Sequence, residues 1–320
     1  MFKVNEKIEK SSRLMRDVYC ETLIELAVGN ENIVALDADL VSSSGMKPFF
    51  SRFPDRAFQC GIAEANMIGI ASGLSSMGKI PFAHSFGCFA SRRACDQIMV
   101  SAAYARQNVR IIGTDPGITA AYNGGTHMPF EDMGVLRSIP GITLIELTDP
   151  VMLKDIVTQL TKLVGVFYLR MARKNVAAVY QEGSEFEIGR ANVLKDGSDV
   201  TIIASGIMIY EALKAADILK SENISAMIVD MFTWKPIDTE MVKRCATTTG
   251  AIVTAENHNI IGGLGSAVSE AAARSFPVPI EMVGVQDRFG QVGTEDFLRE
   301  EYNLTARDIV EAVKRAVARK

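Results

Sequence analysis

Cysteine is scarce and unpatterned: Cys20, Cys60, Cys88, Cys95 and Cys245 are odd in number and include no Cys-x-x-Cys pair. That excludes a disulfide framework or a zinc ribbon as the organising device, and leaves the thiols as small apolar core residues. Histidine is scarcer still. His84, His127 and His258 lie too far apart in sequence to make a local metal motif, so no metal site is expected on this chain. No apolar run reaches the roughly 18 residues that a membrane span requires. The charged N-terminal stretch, residues 1–10, lacks the apolar centre of a signal peptide. A basic excess is also missing: 34 Lys and Arg stand against 38 Asp and Glu, for a net charge of -4. Such a surface has no electrostatic footprint for nucleic acid. Together these absences point to a soluble, cytoplasmic protein with neither a nucleic-acid nor a membrane partner.

What is present suits a large packed interior. The chain has 320 residues, 48% of them hydrophobic, enough for two domains. Apolar spacing predicts a first helix over 14–27, with Asn30 and Asn32 breaking it before a strand at 33–36. Further strands are predicted at 80–84, 109–113, 142–145 and 164–169, with a helix at 152–163. Mixed charge and three glycines mark 176–198 as a linker. A second alternation follows: strands at 200–204, 226–229, 251–255 and 280–283, and helices at 210–219, 240–246 and 264–274. Alternation of this kind predicts α/β domains with largely parallel sheets, divided as 1–185 and 186–320. In the last helix, Thr305 with Asp308 forms a capping-box pattern and Leu304 with Ile309 a hydrophobic staple.

Chemistry concentrates in a few stretches. The run Gly61-Ile62-Ala63-Glu64-Ala65-Asn66-Met67-Ile68-Gly69-Ile70-Ala71-Ser72-Gly73-Leu74 puts one carboxylate at the mouth of an apolar, small-residue helix. Desolvation there raises the proton affinity of Glu64 unless a partner compensates. Gly69, Ser72, Gly73 and Ser76, three or four apart, would let another backbone approach. A core helix with an acid at its N-terminus satisfies the same pattern. Asp37-Ala38-Asp39-Leu40 and Ser42-Ser43-Ser44-Gly45 follow a strand, where open α/β sheets place ligands, although a solvated turn fits equally. Phe86 and Phe89, read as opening a helix, are either an apolar wall for a flat ring or core. The glycine-rich loop 116–128, which carries Gly124-Gly125-Thr126-His127, is long and aperiodic. Gly262-Gly263-Leu264-Gly265-Ser266 imitates a phosphate loop but lacks both the P-loop lysine and the dinucleotide fingerprint.

These stretches resemble the transketolase family. Gly61-Ile62-x-Glu64-x-x-Met67 is similar to the glutamate segment of its pyrimidine-binding domain, and Phe86-x-x-Phe89 followed by Arg93-Ala94-x-Asp96-Gln97 is similar to its ring-lining segment. Gly124-x-Thr126-His127 matches its sugar-contacting loop, and His258 through Gly265 resembles an architectural part of its C-terminal domain. The resemblance, running from about residue 12 to the C-terminus, implies a pyrimidine-binding thiamine-diphosphate fold followed by a transketolase C-terminal α/β domain. It implies that Glu64 hydrogen-bonds the aminopyrimidine of thiamine diphosphate and promotes its imino tautomer, with Asp39, Phe86 and Phe89 beside the cofactor. It implies that Arg16, Ser43 and Arg173 hold a sugar phosphate and that His127 orients the sugar.

Departures accompany the match. Asp115 stands where a phosphate-binding histidine is common, Asn123 replaces the aspartate that reads the donor hydroxyl, and Arg92 takes the place of a ring-lining tyrosine found in some members. The donor is therefore expected to differ from the ordinary pentose phosphate. No Gly-Asp-Gly segment for magnesium and diphosphate occurs. The resemblance thus implies an N-terminal partner subunit that holds Mg2+ and the diphosphate, a heterotetramer with two copies of each chain, and a sugar or sugar-phosphate substrate. Two alternatives stay open: the β subunit of a 2-oxo acid dehydrogenase, and a non-catalytic assembly or regulatory subunit.

Overall fold

The computed structural model describes residues 1–320. They form two compact units, Met1–Pro116 with Val135–Phe186, and Gly117–Gly134 with Glu187–Lys320. Gly117–Gly134 groups with the later residues because it is pinned to 257–259: Ile118 N–H donates to Asn257 Oδ1 at 3.0 Å, Gly134 N–H to His258 Nε2 at 3.2 Å, and Asn259 N–H to the Phe130 carbonyl at 2.7 Å.

In the first unit, β1 (Ile33–Asp37), β2 (Ala57–Gln59), β3 (Ile80–Phe86), β4 (Val109–Thr114), β5 (Ile142–Glu146) and β6 (Val166–Met171) line up in the order β5-β6-β4-β3-β1-β2, with neighbours parallel. Strands β1, β4 and β6 are buried at every position. That is why they read in sequence as mainly apolar stretches rather than alternations, although Arg110 in β4 and Arg170 in β6 are buried with them. The first helix, α1 (Met15–Gly29), buries Met15, Val18, Tyr19, Thr22, Leu23 and Ala27, the three-and-four spacing of one helical face. After β1 the chain turns to β2 on one side; after α3 (Glu64–Ser76) it returns to β3 on the other. The sheet therefore switches direction between β1 and β3, the place where parallel sheets receive ligands at their carboxyl ends. The short β2 has only three residues, too few for a periodic signal.

The linker is partly structured. Its early part joins the first unit, where buried Asp149 caps α6 (Pro150–Leu160) through Val151 and Met152 N–H and also accepts from Val179 and Tyr180 N–H at 2.9 and 2.7 Å. Its end contributes β7 (Asn192–Lys195) to the second unit. There β8 (Val200–Ala204), β9 (Ala226–Asp230), β11 (Ile252–Asn259) and β12 (Ile280–Val285) give the order β12-β11-β8-β9-β7. All neighbours are parallel except the β7–β9 edge pair; a short β10 (Thr233–Lys235) follows β9. The predicted last helix is α11 (Ala306–Val317), and its capping box is complete: the Thr305 side chain accepts from Asp308 N–H while Asp308 accepts from Thr305 N–H. Leu304 and Ile309 are both fully buried.

No helix is long and apolar enough to cross a membrane.

Candidate active site

Glu64 is the first residue of α3, reached through Gly61, whose φ of +69° lies in the left-handed region that glycine enters at least cost. Its side chain is 1% exposed. Two groups partner it: Arg93 Nη1 donates to Oε2 at 2.8 Å, and Ser85 Oγ donates to Oε1 at 3.2 Å. The Arg93 guanidinium lies 4.1 Å from the Phe89 ring centroid, and the Phe89 and Phe86 rings are 6.1 Å apart. Phe86 ends β3 instead of opening a helix; a π-helical turn, Phe89–Arg93, begins three residues later. The extra residue in each π turn re-aims the side chains that follow it, a geometry common at functional sites.

The small-residue face of α3 is not a packing surface within this chain. A Cβ at Gly69 or Gly73 would meet nothing within 4 Å, and Ser72 turns inward to donate to the Ile68 carbonyl.

A second cluster of the same unit adjoins the aromatic pair. The Arg173 guanidinium is 4.9 Å from the Phe86 ring centroid, and its Nε is 2.5 Å from Asp115 Oδ2. Arg16 Nη1 and Arg173 Nη1 both donate to the Ser43 backbone carbonyl, at 3.1 and 3.5 Å. Ser43 thus enters through its main chain. Asp115 is 1% exposed. Burial pushes its carboxyl above the usual range, against the pull of Arg173, Lys174 and Arg16. Thus Arg16, Ser43, Asp115 and Arg173, which are distant in sequence, converge at the carboxyl ends of β1, β4 and β6.

Asp39 has an exposed side chain and a φ of +63°. Its N–H donates to Gln59 Oε1 at 2.7 Å, and the same oxygen accepts from Gly61 N–H at 3.3 Å, so Gln59 ties the loop after β1 to the turn before Glu64. The buried acid here is Asp37. Desolvation raises its carboxyl to about 6, against hydrogen bonds from Leu40 N–H and the Ser44 hydroxyl.

Asn123 and His127 belong to the second unit. They sit on short 3-10 turns, Gly117–Asn123 and Gly125–His127. Asn123 is exposed and His127 half-buried, with Thr126 Oγ1 2.9 Å from His127 Nδ1. The Gly262-Gly263-Leu264-Gly265 segment does open a helix, α9 (Leu264–Ser275), but its N-terminus already holds an anion: Glu256 accepts from Leu264 N–H at 2.7 Å and Gly265 N–H at 2.9 Å. This segment is architecture. Residues 257–259 beside it hold the loop that carries His127.

Sequence reasoning passed over the contacts of Ser85, Gln59 and Lys174, none of which has a spacing signal. Arg93 had one: it lies four residues after Phe89, the interval that stacks side chains on a helical face.

The residues around Glu64 fit an aminopyrimidine in chemistry: a buried carboxylate with spare acceptor capacity beside two aromatic faces. No group of three or more His, Cys, Asp or Glu side chains is arranged to hold a metal ion.

Comparison with known proteins gives a consistent picture. The family model for the transketolase pyrimidine binding domain matches residues 11–178, and that for the transketolase C-terminal domain matches residues 189–309. The chain is 48% identical, over 98% of each sequence, to the 6-deoxy-6-sulfo-D-fructose transketolase subunit SqwH of Clostridium sp. (strain MSTE9). It is 36% identical to an apulose-4-phosphate transketolase subunit of Phocaeicola vulgatus, covering 85% of this chain and 87% of that one. A solved split gene transketolase, described as an inactive β4 tetramer, superposes with a TM-score of 0.90 at 44% identity, covering 96% of this chain and 99% of that one.

Proposed function

The chain belongs to the transketolase family, and on that premise we propose that it is the C-terminal half of a two-component enzyme. This enzyme moves a two-carbon ketol unit from a ketose with an anionic terminus to an aldose acceptor. The observation that carries the reading is the buried Glu64 beside Phe86 and Phe89, continuous with an arginine pair through the Arg173 contact on Phe86. Thiamine diphosphate, when bound, supplies the carbanion chemistry. Glu64 would share a proton with a ring nitrogen of the aminopyrimidine, Phe86 and Phe89 would offer it apolar faces, and Asp39 would flank it. Arg93 and Ser85 hold the Glu64 carboxylate in one orientation. Arg16 and Arg173 would grip the terminal anion through their forked donors, while Asn123 and His127 would contact the sugar.

Dependence on a second chain rests on the relatives that this chain matches almost end to end. They are named transketolase subunits, and the split transketolase structure is described as inactive when built of β chains alone. An N-terminal subunit would hold Mg2+ and the diphosphate, in an α2β2 assembly. The open face of α3, with Gly69 and Gly73 exposed, and the 74%-exposed Ile62 in the turn before it are the kind of surface that a partner covers. The transketolase relatives weigh against the 2-oxo acid dehydrogenase alternative.

The test is ketol transfer by the chain co-purified with its N-terminal partner, supplied with magnesium and thiamine diphosphate. Ketose donors and an aldose acceptor are scored for the shortened aldose. Product from the mixture and none from either chain alone is expected. Release of carbon dioxide from a 2-oxo acid, with no ketol transfer, would refute the reading.

A further inference from the structure

The cluster at Arg173 holds a buried acid where an anion site has no obvious use for one. We propose that Asp115 selects the charge of the donor: by neutralising Arg173 it makes the site prefer a singly charged terminal group, a sulfonate, over a doubly charged phosphate. The inference rests on the transketolase reading above and adds the substrate class that the site takes.

Three observations carry it. First, Asp115 is 1% exposed, forms an ion pair with Arg173 at 2.5 Å, and has no well-aligned hydrogen bond at either oxygen. A buried carboxylate kept without such bonds is costly, so its charge needs a purpose. Second, the charges around the site balance to a small excess. Helix α1 contributes Arg16, with Asp17 at 3.6 Å from its Nε. The end of β4 contributes Asp115, the segment after β6 contributes Arg173 and Lys174, and the loop after β1 contributes the Ser43 carbonyl, its acid Asp39 being exposed to solvent. Three cations against two carboxylates leave one net positive charge. Third, Asp115 has a φ of +58°, a left-handed conformation that Asp, Asn and His tolerate better than other side chains. The backbone therefore admits an acid, an amide or an imidazole here, and the choice among them sets the charge without altering the fold.

A sulfonate carries one negative charge and offers only acceptors, which suit the arginine donors. A phosphate monoester carries about 1.5 to 2 negative charges at pH 7, with a second pKa of about 6. Relative to an uncharged side chain at position 115, placing that extra charge within about 6 Å of Asp115 at an effective dielectric of about 20 weakens binding by about 10- to 100-fold; with the one net positive charge already matched by the first negative charge, the second must bear its own desolvation.

The experiment uses the assembled complex of both chains with magnesium and thiamine diphosphate, comparing 6-deoxy-6-sulfofructose with fructose 6-phosphate as donors for the wild type, Asp115→Asn and Asp115→His. For the wild type, kcat/KM should favour the sulfonate by about tenfold or more at pH 7.5, chiefly through KM. The gap should narrow at pH 5.5 as the phosphate gains its second proton. Both variants should shrink the preference by about tenfold; if the histidine variant fails to fold, the near-isosteric asparagine variant decides. An equal ratio in wild type and variants, or a wild-type preference for phosphate, would overturn the role of Asp115. Absence of transfer from both donors and from an uncharged ketose would instead overturn the transketolase reading, and the proposal with it.

Discussion

Replacing Glu64 by glutamine separates what this side chain does for the fold from what it does for the reaction. Glutamine has the same length and keeps an oxygen for the Ser85 hydroxyl, so the 3.2 Å contact survives. What is lost is the charge facing Arg93 and the 2.8 Å hydrogen bond with it, since the amide NH2 and the guanidinium are both donors, and the Arg93 side chain is 44% exposed. Solvent screening at such a partner limits the loss to about 0.5–1 kcal/mol. For a unit of this size that lowers Tm by roughly 1–4 °C. Activity should respond on another scale. If Glu64 manages a proton at the cofactor ring, removing its acid–base function lowers kcat of the assembled complex by about 10²- to 10⁴-fold. Ketol transfer by the co-purified complex gives the rate, and differential scanning calorimetry of the same preparation gives Tm. A Tm within a few degrees of wild type together with an unchanged rate would refute the catalytic assignment. A collapse of Tm would show that the charge near Arg93 is structural.

Other perturbations probe the frame around the site. Asp37 titrates at about 6 because of burial, above its unfolded value, so ionising it opposes folding. The folded state is relatively favoured below pH 4 and loses that advantage as pH rises through 6. Asp37→Asn should therefore raise stability by about 3 kcal/mol at pH 8 and by nothing near pH 4, as read by urea unfolding at the two pH values. Gly263→Ala would place a Cβ 1.9 Å from Glu256 Oε2 and 2.7 Å from the Asn259 carbonyl. Displacing Glu256 from the α9 N-terminus should cost about 3 kcal/mol or more, seen as early melting of the second unit. Thr305→Ala removes the capping box of α11 and should cost about 1 kcal/mol in chemical denaturation.

Much of the architecture was legible because burial imposes period and composition. The fully buried β4 and β6 had to be mostly apolar, each interrupted by one buried arginine, Arg110 and Arg170; α1 and α11 had to carry apolar residues every three or four positions, and Thr305 with Asp308 marked a helix start through chemistry internal to four residues. The motif around Glu64 was legible for the same reason, being contained in one turn and one helix.

Other features had no such local cause. Three residues of β2 are too few to show a period, β7 lies in a charged linker because an antiparallel edge strand tolerates polar residues, and Phe86 looked helical because it lies three residues from Phe89. The attachment of Gly117–Gly134 to the second unit depends on partners more than a hundred residues away. Sequence by itself therefore determined the α/β alternation, the family and the acid at the mouth of α3. Only the tertiary structure decided that Arg93 partners this acid, that Glu256 fills the glycine loop, and that Asp115 lies buried against Arg173. The first and last of these join residues far apart in the chain, and the Glu256 contact spans eight and nine residues across a turn. Their existence depends on which strand ends meet at the carboxyl edge of a sheet, and no local pattern encodes that meeting.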